Sequence, residues 1–297
     1  MSSRDMSVTR QCRKKPSSSA SIVLYFALAI VMAGAPSLSG AQVHPAAPLQ
    51  AGLDGRAAAP ASEQNARADA PWDPTGYWTS VVTADWRDRM VIPMRGDYAG
   101  IPINQAAKTF ADRWNRAADE AAGKQCEAYG AGSVMINPEH LHITWQDNNT
   151  LKVETDQGMQ TRVFNFDAPD DKTASRPDSL QGYSRAQWHR PPTSTPPPVT
   201  PDSQRRVSAP VGGTLGIFTD HLLPGLLRKN GVPHSAGATI REYWTHNVDP
   251  ISGITIIVIT IELTDQKYLW SPYVYNAIFQ SESDGSKWQP TPCSLRW

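Results

Sequence analysis

The chain has 297 residues, and its 28 basic and 28 acidic side chains leave no formal net charge. That balance, with no basic block after the first segment, excludes the strongly basic surface that nucleic-acid binding requires. The length is sufficient for one sizeable hydrophobic core.

Basic residues followed by an apolar run open the chain. Five cations precede the run, against the single acidic residue Asp5: Arg4, Arg10, Arg13, Lys14 and Lys15. Residues 22–33 (IVLYFALAIVMA) are short for a membrane span and have the length of a signal-peptide core. Small residues at Ser39 and Ala41 suit cleavage after Ala41. We therefore predict a signal peptide at 1–41 and a periplasmic or secreted protein without a membrane span after cleavage; an uncleaved anchor is the alternative.

Residues 42–71 are rich in Ala, Pro, Gln and Gly and contain almost no aliphatic residues. Such a segment cannot bury enough apolar surface to offset the entropy lost on ordering, so we predict a disordered spacer. Order is expected to begin near Trp72, and residues 72–297 are predicted to form a single β-barrel domain.

Alternating residues at 141–166 (LHITWQDNNTLKVETDQGMQTRVFNF) predict three antiparallel strands. Leu141, Ile143 and Trp145 share one face of the first strand. The intervening DNN and QG sequences favour turns. We therefore expect a meander with one buried face.

Similar patterns predict the other strands. They lie at 77–86, 183–189, 213–220, 238–245, 254–263 and 272–281, with a last short run from Lys287. Residues 254–263 (ITIIVITIEL) are the most apolar run and indicate a strand buried on both faces. The segment 190–202 (RPPTSTPPPVTPD) must lie outside the sheet, because proline cannot donate a ladder hydrogen bond.

One strong helix is predicted at 104–123. Asn104 can cap its first turn, and Gly123 suits its C-terminal end. Phe110 and Trp114 are one turn apart on its apolar face, which is expected to dock on the β body.

About nine or ten short strands and one helix predict a mainly β fold. We expect an antiparallel up-and-down barrel of the lipocalin or calycin kind, with one main α-helix inserted after the first strand. The sequence GYW at 76–78 resembles the G-x-W of lipocalins, whose Trp closes one barrel end. A helix after the first strand is similar to the fatty-acid-binding branch of the calycins.

Four stretches carry a second resemblance: GKQCEAYGAGSVM at 123–135, the meander at 141–166, GLLRKNGVPHS at 225–235 and SKWQPTPC at 286–293. They are similar to a family of exported bacterial proteins of unassigned function. The resemblance implies export and a β-rich body, and it transfers no catalytic residue.

Two cysteines remain after the predicted cleavage, Cys126 and Cys293, since Cys12 lies in the removed segment. An even pair in an exported protein predicts a disulfide. Two unpaired thiols are the alternative.

Two candidate catalytic arrangements are considered. His140 and His142 share one strand face at a spacing that metal sites use. A third ligand could be any one of His189, His221, His234 and Glu242. Polar surface is the alternative, and we predict neither a metal nor a cofactor.

The second arrangement is Ser235 with His234 and Glu242, which supplies hydrolase residue types, but the G-x-S-x-G elbow is absent.

Hydrogen-bond donors cluster at 225–235, a turn-rich loop suited to an anionic head group, with a solvated hairpin tip as the alternative.

Aromatic residues, including ten tryptophans, either line apolar pockets or fill cores. We expect a cavity between the Phe110/Trp114 face of the helix and the two tryptophans Trp145 and Trp244, with residues 228–235 at its rim. The predicted ligand-binding residues are Phe110, Trp114, Trp145, Arg228, Asn230, His234, Glu242 and Trp244.

These features favour an exported binding protein that holds a small apolar or amphipathic molecule in a barrel cavity. One alternative is a metal-assisted enzyme on the same scaffold, using His140, His142 and Glu242. The other is a structural or interaction protein of the envelope, a role that the proline-rich segment 190–202 can serve.

Overall fold

Strands are the main regular secondary structure of the described residues. The computed structural model describes residues 65–137, 139–167, 176–190 and 212–296. Within them lie eleven strands: β1 Gly76–Ser80, β2 His140–Trp145, β3 Thr150–Thr155, β4 Thr161–Asn165, β5 Tyr183–His189, β6 Thr214–Asp220, β7 Gly225–Arg228, β8 Val232–His234, β9 Thr239–Val248, β10 Thr255–Thr264 and β11 Tyr273–Glu282. The predicted signal peptide, residues 42–64 of the predicted spacer and residues 191–202 of the proline-rich segment lie outside the described residues.

Nine of these strands close into a barrel, in the order β1-β11-β10-β9-β6-β5-β4-β3-β2. The predicted barrel class is therefore confirmed. The prediction of a fully antiparallel barrel is wrong at one pair, because β4 and β5 are parallel through Phe164 opposite Ser184 and Asn165 opposite Arg185. A parallel pair needs a long crossover, and the connection 166–182 provides one. β7 and β8 pair with each other outside the barrel.

The predicted meander is confirmed by β2, β3 and β4. Leu141 and Ile143 on β2, with Leu151 and Val153 on β3, are fully buried in the barrel core. Trp78 on β1 is also buried, and its Nε1 donates to Pro74 O at 3.0 Å. Alternation therefore places one face of each strand inside the barrel.

Two strand predictions need correction. The first strand ends at Ser80, and Trp86 begins a short helix, α1 Trp86–Met90, which brings Arg89 Nε to within 2.7 Å of Ile136 O. Burial of β10 alternates instead of covering both faces, because the outer face of a single barrel wall stays partly exposed. Beyond β11, the run from Lys287 forms only an isolated bridge, between Thr291 and Gln157.

The predicted single helix is two helices, α2 Gln105–Arg113 and α3 Arg116–Ala121. Asn104 caps α2 as predicted, accepting hydrogen bonds from Ala106 N and Ala107 N. The break comes at Trp114, which has an extended backbone, and at Asn115, whose side chain caps α3 by accepting from Ala118 N. No helix in the described residues is long and apolar enough to cross a membrane.

A second apolar cluster joins the helices, the β7–β8 hairpin and the C-terminal segment: Trp114, Ala128, Tyr129, Leu226 and Leu295. Ala128 and Tyr129 of this cluster belong to a short 3₁₀ segment, Gln125–Tyr129, and a second 3₁₀ segment follows at Val134–Ile136. Cys126 and Cys293 form the predicted disulfide, with their Cα atoms 5.1 Å apart. The described structure begins at Asn65, before the expected start at Trp72, and Ala66 O accepts from Trp188 Nε1 at 2.9 Å.

Candidate functional site

The eight predicted ligand-binding residues do not form one site. Trp244 and Glu242 lie inside the barrel, Phe110 is 43% exposed on α2, and Arg228 is buried in the β7–β8 hairpin. Trp145 is half-buried and contacts Phe166, with ring centroids 5.4 Å apart. The helix face, Trp145 and Trp244 therefore do not bound one cavity, and five of the eight residues fall into three separate regions.

The barrel interior is the first region. Trp244 packs edge-on against Phe164, and its Nε1 donates to Glu242 Oε2 at 2.9 Å. Glu242 Oε1 accepts from Arg162 Nη2 at 2.6 Å, and both of these side chains are fully buried. Glu242 is therefore half of an internal ion pair. The alternation of β4 could have indicated Arg162, since it shares a face with Phe164.

The second region is an open groove on the outer surface, with a volume of about 570 Å³, between α2 and the segment at Tyr268. The rings of Phe110 and Tyr268 are 6.0 Å apart. Arg113 and Lys267 add two cations to the lining, and Trp114 completes one wall. The two predicted helix aromatics are therefore together here, away from the barrel interior.

The third region is a cleft of about 20 Å³, which we call the cationic cleft. Its charged lining consists of Arg89 from α1, Arg228 from β7, Lys229 from the hairpin turn, and Asp88. The rest of its lining is Ile92, Pro93, Ala128, Ser133, Ile136, Asn137 and Leu227. The sequence alone did not predict this cleft, because its residues come from three separate segments of the chain.

Existing contacts hold the cationic side chains in place. Arg89 Nη2 donates to Ser80 Oγ at 3.3 Å, in addition to the bond from its Nε to Ile136 O. Arg228 Nη1 donates to Ala99 O at 2.8 Å, and its Nη2 lies 3.5 Å from Asp88 Oδ2. These contacts leave the guanidinium groups fixed along the cleft wall.

Lys229 is buried in the same wall, and its Nζ donates to the Tyr129 hydroxyl oxygen at 2.9 Å. The ammonium also lies over the Tyr129 ring, 4.5 Å from the centroid. Burial lowers the pKa of Lys229 from 10.5 to about 8, although the negative charge of Glu139 opposes that shift. Burial also raises the pKa of the Tyr129 hydroxyl.

Glu139 is a buried acid whose negative charge acts on Arg89 and Lys229 in this wall. Its carboxyl oxygens accept no hydrogen bond from the described residues. Burial, and next the charge of Asp156, raise its pKa well above 4.5, while Arg89, Lys229 and Arg162 act in the opposite direction. The Asn137 Nδ2 donor, on the cleft lining, is likewise buried without a partner in the described part of the chain.

The predicted donors beyond Lys229 have structural partners. Asn230 Nδ2 donates to Asp97 O at 2.8 Å. His234 is buried with its Nδ1 3.2 Å from Ser235 O, and burial lowers its pKa. Ser235 Oγ donates to Asp265 Oδ1 at 2.8 Å, so its hydroxyl is not aligned with His234 as a hydrolase would need. The segment expected to be an exposed loop is a buried hairpin.

The two candidate metal ligands each face a carboxylate. His140 Nδ1 is 2.6 Å from Asp156 Oδ2, and His142 Nδ1 is 3.3 Å from Glu154 Oε2. His142 also stacks on Tyr77 with centroids 4.3 Å apart. The residues that the structure describes contain no group of three potential metal ligands.

The fold defines the protein as a closed, nine-stranded β-barrel with an external hairpin and helices. Comparisons with protein-family models, curated proteins and solved structures give no match for this chain.

Proposed function

We propose that the protein is an exported binding protein for a small amphipathic acid, whose acidic head occupies the cationic cleft. The observation that carries this proposal is the convergence of Arg89, Arg228 and Lys229 on one cleft with an otherwise largely apolar lining. Asp88 is the one acidic residue among the described lining residues. A carboxylate would therefore reduce an excess of positive charge and accept charge-assisted hydrogen bonds.

The size of the cleft limits what it can hold. A space of about 20 Å³ accommodates roughly one ordered water, so one oxygen of a carboxylate head can enter it while the rest of the ligand stays at its mouth. Ile92, Pro93 and Leu227 offer apolar contacts for a short chain that extends from the head. The ligand class is therefore a short-chain carboxylic acid whose head alone reaches into the cleft.

Export is supported by the signal-peptide pattern at 1–41 and by the Cys126–Cys293 disulfide, since disulfides persist in oxidising compartments. The groove at Phe110 and Tyr268 is a second candidate site, because Arg113 and Lys267 flank its aromatic wall. Its volume is in the range of small-molecule pockets.

Calorimetry and thermal shift with straight-chain carboxylates from acetate to octanoate test the proposal, with alcohols of equal length as controls. The acids should bind saturably and raise Tm, whereas the alcohols should not. Lys229→Gln should weaken acid binding by about 1–3 kcal/mol. Lys267→Gln, at the groove, is the matched control and should leave acid binding unchanged. A loss caused by Lys267→Gln but not by Lys229→Gln would assign the ligand to the groove, and no binding of any acid would refute the function.

A further inference from the structure

The outer surface of α2 carries an aromatic residue that the core does not bury. Ala107 and Ala111 form the buried side of this helix, and neither is exposed to solvent. Phe110, in contrast, is 43% exposed and belongs to neither of the two apolar core clusters. Its ring lies 6.0 Å from that of Tyr268, at an interplanar angle of 54°. The two rings therefore form the aromatic wall of the open groove between α2 and the β10–β11 loop.

Two exposed cations flank this wall, Arg113 on the last turn of α2 and Lys267 on the β10–β11 loop. The described lining of the groove includes no acidic residue. Among the residues that the structure describes, neither cation forms an ion pair with a carboxylate, and the neighbouring Asp112 is paired with Lys108 at 2.6 Å. The groove therefore has a positively charged lining that favours an anionic occupant.

The shape of the groove favours a rigid, flat occupant. Its volume of about 570 Å³ lies in the range of small-molecule pockets. A flexible chain that lies in an open groove loses rotational freedom on binding and is not fully buried in return. The fused ring of an aromatic compound has no internal rotation to lose, and it can pack on Phe110 or Tyr268 with its centroid about 4.5–7 Å from theirs.

We infer that this groove binds planar aromatic anions, with the ring against Phe110 and Tyr268 and the acidic group at Arg113 and Lys267. The inference goes beyond the proposed function, because the groove shares no lining residue with the cationic cleft and its ligand is aromatic. Lys267 Nζ is 4.9 Å from the centroid of the Tyr268 ring, so an anion that meets it also lies beside the aromatic wall. The guanidinium of Arg113 adds a planar set of donors that matches a carboxylate or a sulfonate.

Calorimetry of the mature wild-type protein with 2-naphthoate tests the inference. Two control compounds separate charge from shape: 2-naphthamide has the same rings without the charge, and octanoate has the charge without the rings. 2-Naphthoate should bind saturably and more tightly than either control, and added salt should weaken its binding because both cations are exposed. Equal binding of 2-naphthoate and either control compound would overturn the inference, as would the absence of saturable binding.

Variants along the groove locate the site. Arg113→Gln and Lys267→Gln should each weaken 2-naphthoate binding by about threefold to fivefold, the scale of an exposed charge pair. The double variant should bind 2-naphthoate no better than wild type binds 2-naphthamide. Phe110→Leu keeps an apolar side chain without a ring and should weaken the binding of both aromatic compounds. Circular dichroism should be the same for wild type and all variants.

The cationic cleft supplies the matched control. Lys229→Gln should leave 2-naphthoate binding unchanged, and saturating acetate should not displace 2-naphthoate from the wild-type protein. A loss of 2-naphthoate binding in Lys229→Gln but not in the groove variants would place the ligand in the cleft, which refutes this inference and leaves the proposed function in place. Binding of 2-naphthoate that depends on Arg113 and Lys267, without any binding of straight-chain acids, would support this inference and refute the proposed function.

Discussion

Arg162 and Glu242 form an ion pair across the inside of the barrel, with Nη2 and Oε1 2.6 Å apart and neither side chain exposed. Arg162 is on β4 and Glu242 on β9, and two other strands, β5 and β6, separate them in the sheet. Thr219 on β6 accepts from Arg162 Nη2 at 3.4 Å, and its hydroxyl is 2.8 Å from that of Ser184 on β5. The pair therefore connects β4 with β9 across two intervening strands, through a buried polar network.

Removal of one partner should be more harmful than removal of both. Glu242→Ala leaves the Arg162 charge buried without its counterion and should lower the free energy of unfolding by about 3–5 kcal/mol. The double variant Arg162→Met/Glu242→Leu replaces the pair with apolar side chains and should recover most of that loss. Urea denaturation of wild type, Arg162→Met, Glu242→Leu and the double variant measures the coupling. Additive losses would show that the two charges do not stabilise each other.

The buried carboxyl of Glu139 should make stability depend on pH. The pKa of Glu139 is raised in the folded state. Its contribution to the free energy of unfolding is therefore fully present below pH 4.5 and is lost as the pH rises through the folded-state pKa. Glu139→Gln cannot ionise and should escape this loss. Tm of the variant should therefore equal that of wild type in acid and exceed it increasingly as pH rises. Glu262→Gln, on the outer face of β10, is the matched substitution, and a Glu139→Gln difference independent of pH would contradict the prediction.

The disulfide should contribute strongly to stability because it closes a long loop. Cys126 and Cys293 are 167 residues apart in sequence, for which loop-closure entropy gives an upper value of about 5 kcal/mol. The double variant Cys126→Ser/Cys293→Ser should lose a large part of this amount in urea denaturation. Wild-type protein under reducing conditions should unfold like the variant. Equal stability of oxidised and reduced wild-type protein would disprove this contribution.

Two glycines allow backbone conformation to be separated from packing. Gly231 and Gly253 both have left-handed backbones, with φ of 93° and 71°. A Cβ at Gly231 would lie 2.7 Å from Trp114 Cβ, whereas a Cβ at Gly253 would meet no atom within 4 Å. Gly253→Ala should therefore cost about 1–2 kcal/mol from backbone strain alone. Gly231→Ala should cost about 1–3 kcal/mol more, because Trp114 must move. Equal costs in urea denaturation would show that Trp114 moves without penalty.

The sequence predicted the parts of the fold that depend on local patterns. Alternation identified β2, β3 and β4 because the barrel has one solvent-facing side, and two cysteines sufficed to predict the disulfide. The apolar run at 254–263 predicts burial on both faces, and this prediction is wrong because hydrophobicity alone does not say whether a second layer covers the outer face. The helix was predicted too long, since Asn115 resembles any polar helix residue until its capping bond is seen.

The candidate site was only partly predictable. Arg228 was expected to meet an acidic head, and it does line the cationic cleft. Arg89 lies beyond the predicted strand 77–86, and no pattern surrounds Glu139, so the sequence connects neither residue with Arg228. The helix aromatics and Trp244 were grouped because each is apolar, whereas the topology places Trp244 inside the barrel and Phe110 outside it. These positions depend on contacts between segments that are distant in sequence, and a local hydrophobic pattern does not predict such contacts.

The position of β1 has a consequence for the order of folding. It lies between β2 and β11, so the barrel wall closes through Trp78, which is opposite Leu141 on one side and Ser281 on the other. Until β11 is available, β1 and β10 are both unpaired edges, and the apolar inner face of β10 meets water. The contacts between β1 and β11 therefore stabilise the fold only after the long chain segment between these two strands has been closed into a loop. Folding should accordingly be a late, cooperative event of the whole barrel, which is compatible with passage of an unfolded chain across a membrane.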